Sequence, residues 1–561
     1  MCGGRGSHHS NHPLTSHALL PCLHCLQGIV SDLFPGMEAP ESDDNLLHRV
    51  LRSVCQRNSL QPNPYFMSKC TQLFHTLQSR HGVMVVGPSG GGKSESLRML
   101  GAAVTLASER KEGWRDGHFQ RVNTVYVSPK AITMGQLYGA YDEATREWQD
   151  GVLAYWVRTF ASARNRERKW IVCDGPVDAD WIENLNTALD DNKKLCLASG
   201  QIIQLPAELN IVFEAEDLDQ ASPATVSRCG MVFHEPQLLG TDPMVDSWLE
   251  RLPAKLPANC RPVLRALLDK YLHPCLAFVG KACTTPVPVN HCQLTAALLR
   301  LLDCDLEPYQ RRSPTDEEAA ADGLAVTVQG MFAFALVWSV GSVLTAADRP
   351  AFSAFLRQEM SDHGHTLPFP DAGLVHDYCF NAQQRRWSSW ESLCPAATPY
   401  NSGLDFGEIF VPTPETVLIG TLLKRLISRQ MHVLLLGPTG TGKSVNAMRY
   451  LACDSGPKTM PITFTFSART SAQQLQNYIE DRCEKRRRNE YGPPIGSKFV
   501  AFLDDLNLPR PEECVAALRP LPTPPAYAHL HPPRMPTHAT RLVCAASGTA
   551  HSRLSSCCAS G

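Results

Sequence analysis

The sequence carries no excess of either charge: 53 Lys and Arg stand against 55 Asp and Glu, a formal charge of -2 over 561 residues. That balance removes the broad attraction to phosphate backbones on which non-specific nucleic-acid binding depends. It also lacks a long hydrophobic run. The longest, Met331 to Leu344, is interrupted by Ser339, Gly341 and Ser342 and falls short of the roughly 18 residues needed to cross a bilayer. The start, Met1 to Cys25, is rich in His and Ser without the continuous apolar core of a secretion signal, so a reducing, cytosolic setting is expected. The 21 cysteines are scattered, and the close pairs Cys22/Cys25 and Cys557/Cys558 sit in the termini, which speaks against a disulfide framework or a zinc site. With 43% hydrophobic and 19% charged residues the chain can bury real cores, and its length implies roughly three to five domains.

Two segments share one form, an apolar strand-like run, a glycine-rich turn and a helix-like stretch. Val83 to Val86 leads into Gly87-Pro88-Ser89-Gly90-Gly91-Gly92-Lys93-Ser94, and Val433 to Leu436 leads into Gly437-Pro438-Thr439-Gly440-Thr441-Gly442-Lys443-Ser444. Both fit the phosphate-loop pattern G-x-x-x-x-G-K-[ST]. Glycines let successive backbone N–H groups turn inward around phosphate oxygens, and the helix that follows presents its positive end. Lys93 and Lys443 would reach the β and γ phosphates, and the Ser94 and Ser444 hydroxyls would meet Mg²⁺. One such match could be an incidental glycine turn; two with the same flanks make nucleotide binding the expectation.

A phosphate loop also needs a neighbouring strand ending in an acidic residue, usually followed by a glutamate that orients the attacking water. Trp170 to Cys173 ends in Asp174, and Phe499 to Leu503 ends in Asp504. Gly175 follows Asp174, so the first site is expected to bind nucleotide and hydrolyse it poorly. Asp505 follows Asp504, a carboxylate one methylene shorter than Glu, and turnover at the second site is left open.

Longer strings carry a family resemblance. Ile132 to Gly139, Lys169 to Asp178, Leu189 to Lys193 and Ser222 to Met231 resemble the second AAA+ module of dynein heavy chains; Val411-Pro412-Thr413, the loop at Gly437 and Phe502 to Asn507 resemble the third. The resemblance runs from about Gly28 to about Pro509 and implies an α/β fold, AAA+ P-loop cores of parallel sheet and flanking helices with a helical lid. It implies ATP or ADP with Mg²⁺ as cofactors, the metal held by Ser94, Asp174, Ser444 and Asp504. It places Glu214 at the position that senses the γ phosphate, where a carboxylate would repel phosphate. It makes Arg228 an arginine finger directed at the module before it, and Asp505 the candidate base of the second site. Asp504-Asp505-Leu506-Asn507 resembles axonemal members, and Ile132 to Tyr138 inner-arm types. In a full-length chain the partners would be dynein intermediate and light chains and microtubules, the place the cytoplasmic cytoskeleton and the axoneme of a cilium or flagellum, and the activity minus-end-directed motility. Nothing resembling a stalk is present, so direct microtubule contact is not expected; the charge balance and the lack of a long apolar run likewise leave nucleic acid and membrane out of the expected partners. Two alternatives stay open: a nucleotide-binding structural protein without turnover, and another AAA+ remodelling ATPase.

The expected boundaries are 28–239 for the first large subdomain, 240–400 for its lid, and 401–509 for the start of the second module. Leu294 to Leu302 has apolar spacing of three and four, and Phe332 to Trp338 is apolar all round, so both are read as helices, the latter buried. Lys485 to Arg488 is read as a solvated helix end. Residues 1–27 and 510–561 carry none of the family strings. Pro520 to Pro536 is dense in proline, which opposes helix and central strand, so both end segments are expected to lack regular structure, leaving the second sheet without partner strands.

Overall fold

The computed structural model describes residues 45–110, 119–142, 144–253, 256–257, 259–310, 321–395, 410–487, 490–509 and 540–547. Two helices, α1 (Asn45–Arg57) and α2 (Pro64–Ser79), lead into the first sheet. Pro64 at the first helical position and the Asn63 side chain, which accepts from the Tyr65 N–H at 2.8 Å, fix where α2 starts. Strand β1 (Gly82–Val86) is buried along its whole length, as expected of a parallel strand covered by helices on both faces. The phosphate loop connects β1 to α3 (Lys93–Glu109), and Gly92 enters that helix in the left-handed region.

Strands β2 (Val122–Val127), β3 (Arg168–Asp174), β4 (Leu209–Ala215) and β5 (Gly230–Phe233) complete a parallel sheet in the order β2-β3-β4-β1-β5. Because β4 and β5 flank β1, the loop after β1 opens where the strand order reverses, the usual place for a ligand in such sheets. Trp181, Phe213, Ile171 and Leu185 are among the residues that fill the core on one face. Thr133 and Gln136 form a capping box that opens the short helix Met134–Tyr138, so part of the family string Ile132 to Gly139 is a helix-start signal.

The lid helices that follow include α4 (Cys260–Ala282), α5 (His291–Gln310), α6 (Ala321–Ser339) and α7 (Arg349–Asp362). Phe332, Phe334 and Leu336 of α6 are fully buried in the lid core, as the sequence predicts. An antiparallel hairpin, Tyr378–Asn381 with Arg386–Ser389, closes the lid, and Trp390, whose indole N–H donates to the His376 carbonyl at 3.0 Å, is buried in it.

The second module begins with α8 (Pro414–Ser428), which has two apolar faces. Val417, Leu418, Leu422 and Leu426 pack on the lid core, while Leu423 and Ile427 join Ala447, Tyr450 and Phe502 beneath the second sheet. Strand β6 (Val433–Gly437), α9 (Lys443–Arg449), β7 (Thr459–Thr465), α10 (Ala472–Glu480), β8 (Lys498–Asp504) and β9 (Thr540–Ser547) follow.

The structure differs from the sequence reading at two places here. Residues 540–547 lie in the segment expected to lack regular structure, yet they form β9, parallel to both β6 and β8. The order β6-β9-β8-β7 repeats the first sheet's β1-β4-β3-β2, so the second sheet does have its central partner. Leu542, Val543 and Cys544 supply an apolar run of strand length beyond the prolines, and proline forbids a ladder position only where it stands. Lys485 is likewise not at a helix end. Glu484–Arg487 pairs with Glu490–Gly492 as an antiparallel hairpin. Residues 1–27, 510–539 and 548–561, on which the other terminal expectations fall, lie outside the described residues.

Candidate functional site

The two loops take the same backbone path. Gly90 and Gly440 have φ of +88° and +84°, Gly92 and Gly442 of +84° and +73°; this is the left-handed region that glycine enters without steric cost. Gly87 has a second constraint. At φ +145°, a Cβ there would lie 2.0 Å from the His234 carbonyl oxygen, because β5 runs alongside β1 and its end abuts the loop. The lysines reach back over their loops: Lys93 Nζ donates to the Gly87 carbonyl at 2.5 Å and the Pro88 carbonyl at 3.3 Å, and Lys443 Nζ to Gly437 at 3.0 Å and Pro438 at 2.6 Å.

Behind the first loop, β3 and β4 bring Asp174 into register with Glu214. The Ser94 hydroxyl donates to the Glu214 carboxylate. Burial raises the Glu214 pKa, with the Ser94 bond and Lys93 opposing and Asp174 adding to the rise; Asp174 is raised by burial against Lys93. Burial lowers the Lys93 pKa, opposed by Glu214, Glu216 and Asp174. One half-buried cation thus faces carboxylates across a serine hydroxyl, an arrangement of hard oxygen donors that fits a small dication beside a phosphate chain. Gly175, after Asp174, has φ +138° with nothing within 4 Å of a Cβ position among the described residues, so this position itself supplies no water-orienting carboxylate.

The second site differs in surroundings. Pro438 to Thr441 are exposed, and β6 is only half-buried where β1 is fully buried. Asp504 Oδ1 accepts from the Asp505 N–H at 3.1 Å, and Asp505 stands at φ +54°, which Asp tolerates better than most residues. In register, Ala545 of β9 takes the place beside Asp504 that Glu214 has beside Asp174.

Arg228 lies just before β5, whose first residue pairs with the start of β1. It is therefore roughly 15 Å along the strand direction from the loop of its own module. Its guanidinium is ion-paired with Asp190 and donates to the Ala224 carbonyl at 2.7 Å.

Sequence reasoning missed two groups at the first loop. His234 is buried, its Nδ1 donating to the Gly91 carbonyl at 3.2 Å and its Nε2 lying 3.4 Å from the Ser96 hydroxyl. Burial drives its pKa down to about 4, which keeps a neutral ring under the loop. Asn290 at the start of α5 donates from Nδ2 to the Ser89 carbonyl at 2.7 Å. Asn290 and Gln293 form a capping-box pair legible in sequence, which marks a helix start but not where that helix sits.

Two phosphate loops at the switch points of parallel sheets, each beside an acidic strand end, and a helical lid packed on the first define a pair of AAA+ P-loop nucleotide-binding modules. Comparison with known families gives the same class. Residues 82–229 match "AAA domain (dynein-related subfamily)", residues 264–392 "Dynein heavy chain AAA lid domain", residues 398–518 "P-loop containing dynein motor region" and residues 17–94 "Hydrolytic ATP binding site of dynein motor region". The chain is 41% identical over 512 residues to mouse "Dynein axonemal heavy chain 1", covering 87% of this chain and 12% of that protein. It is 39% identical over 507 residues to human "Dynein axonemal heavy chain 3", with the same coverage, and 39% over 503 residues to mouse "Dynein axonemal heavy chain 12", covering 87% of this chain and 16% of that protein. The chain belongs to the dynein heavy-chain family, in its AAA+ motor region, and its similarity is to axonemal members. It spans about an eighth of the length of the curated relatives given first. Matched residues reach from 17 to 518, beyond the 28 to 509 read from the sequence strings.

Proposed function

We propose that the first site holds ATP or ADP with Mg²⁺ and does not turn it over, while the second is a regulatory site with Asp505 as its candidate base. Lys93 and the loop amides of Gly87 to Ser94 would bind the phosphates, and Ser94 and Asp174 would hold the metal. Lys443, the loop from Gly437 to Ser444, and Asp504 have the same roles in the second site. The metal would neutralise phosphate charge and fix its orientation. The single observation that carries the reading is at Gly175: the residue after Asp174 has no carboxylate, and its φ of +138° is one that few side chains adopt. Glu214 supports it, since its carboxylate takes the hydroxyl of Ser94 and adds negative charge where a γ phosphate would come.

In the whole heavy chain this segment would contribute to ATP-driven, minus-end-directed movement on microtubules in the axoneme of a cilium or flagellum, in company with dynein intermediate and light chains. Arg228, at the end of the sheet away from its own loop, would serve the preceding module's nucleotide after leaving Asp190. Phosphate release tests the division of labour. The reading expects any release by the wild-type chain to disappear in Asp505→Ala and to survive in Asp174→Ala; release that depends on Asp174 alone would refute it.

A further inference from the structure

The lid touches the first phosphate loop at two consecutive residues. Asn290 Nδ2 donates to the Ser89 carbonyl at 2.7 Å, and the space beside Gly90 is filled by Cys292, whose Cβ lies 2.7 Å from where a glycine substituent would sit. Asn290 is itself fixed. Its Oδ1 accepts from the Gln293 N–H at 2.8 Å and its own N–H donates to Gln293 Oε1 at 3.0 Å, so the amide that meets the loop cannot swing without undoing the cap of a 20-residue helix. Cys292 is buried and holds the helix start against the loop.

The consequence follows from peptide planarity. In a trans peptide the carbonyl and the next N–H point in opposite directions. Holding the Ser89 carbonyl toward the lid therefore aims the Gly90 N–H away from it, into the concavity where phosphate oxygens would lie. Glycine flanks this peptide, so without an external hold the Ser89–Gly90 unit would be free to flip. We infer that Asn290 is a positioning residue for the first nucleotide site: through the Ser89 carbonyl, the lid sets the orientation of one of the amides that bind phosphate. By linkage, phosphate bound there would in turn favour the lid in its seated position.

This inference rests on the nucleotide reading of the first loop, and the test separates the two. Binding of a fluorescent ATP analogue with Mg²⁺ is measured on the full chain carrying Lys443→Ala, so that only the first loop responds, with and without Asn290→Ser and Asn290→Asp. Both replacements are good helix caps; an ionised aspartate cannot donate to Ser89, and the serine hydroxyl, one bond shorter than the Asn290 amide nitrogen, falls short of its carbonyl. Asn290→Ser is expected to weaken binding roughly 3- to 10-fold, the scale of one neutral hydrogen bond, and Asn290→Asp at least as much, because its carboxylate faces a carbonyl. The far-UV circular dichroism and urea midpoint of each variant should match the Lys443→Ala parent. Affinity within twofold of the parent in both variants would overturn the inference, as would a loss of affinity matched by a loss of fold. If the parent binds no nucleotide, the reading of the loop itself falls and the inference with it.

Discussion

Removing Arg425 tests how the second module is fastened to the lid. Its Nη1 lies 3.0 and 3.2 Å from the two carboxylate oxygens of Asp305 in α5, and its guanidinium sits 4.3 Å over the Phe334 ring. The Asp305 side chain is only 11% exposed. Arg425→Met keeps most of the packed volume and leaves a buried carboxylate without its partner, a loss of about 3–5 kcal/mol, with about 1 kcal/mol more from the ring contact. The carboxyl can escape part of this by taking up a proton. Burial already pushes the Asp305 pKa from 3.8 to about 6 against the attraction of Arg425, and without Arg425 it should rise further. A raised carboxyl pKa means that the folded state binds a proton that the unfolded chain has released, so stability falls as pH rises between the two values. Across about two units at 1.36 kcal/mol each this is about 3 kcal/mol between pH 4 and 6. In the variant the fall extends above pH 6. The destabilisation should therefore be small at pH 5.5 and full at pH 8, read as urea midpoints from tryptophan fluorescence, which Trp338 and Trp390 report from within the lid. Adding Asp305→Asn should abolish the difference. An equal loss at both pH values would refute the reasoning.

Two other predictions follow from single residues. Gly175→Glu supplies the carboxylate the first site lacks, but at φ +138° the backbone costs about 1–3 kcal/mol for a side chain, so phosphate release should stay within about twofold of wild type; a tenfold rise would show that the missing carboxylate alone silences the site. His376 is buried against Trp338, donates to the Gly341 carbonyl at 3.1 Å, and has its pKa pushed down to about 4 by burial. The unfolded chain takes up the proton first, so stability falls as pH drops from 6.5 toward 4, and His376→Gln should make that part of the urea-midpoint profile less steep without flattening it, because buried His234 contributes in the same window.

The loops and their acidic strand ends were legible because the chemistry fixes residue types at short spacing: glycines for inward amides, lysine and serine at set positions, a carboxylate closing a buried strand. Longer family strings extended this to Glu214 and Arg228, and the structure shows why they are spaced as they are, since Glu214 falls in register with Asp174 and Arg228 precedes the strand that pairs with β1. Strand β9 was missed because it is one short run after a long proline-rich segment and pairs only with strands far back in the sequence. Asn290 was missed for the same reason, its partner Ser89 being 201 positions away. Its local pattern specifies a cap; only the packing of the lid makes that cap part of a site. The hairpin from Glu484 was read as helix because the preceding helix runs almost to it, and charge alone does not separate a helix end from a strand.

The central claim is that the first site retains nucleotide unhydrolysed. The direct measurement is to load the full chain carrying Lys443→Ala with α-labelled ATP and Mg²⁺, remove free nucleotide, and identify what remains bound after prolonged incubation. The account predicts about one intact triphosphate per chain, absent when Lys93→Ala is added. Conversion to bound diphosphate at a rate that Lys93→Ala abolishes would contradict it.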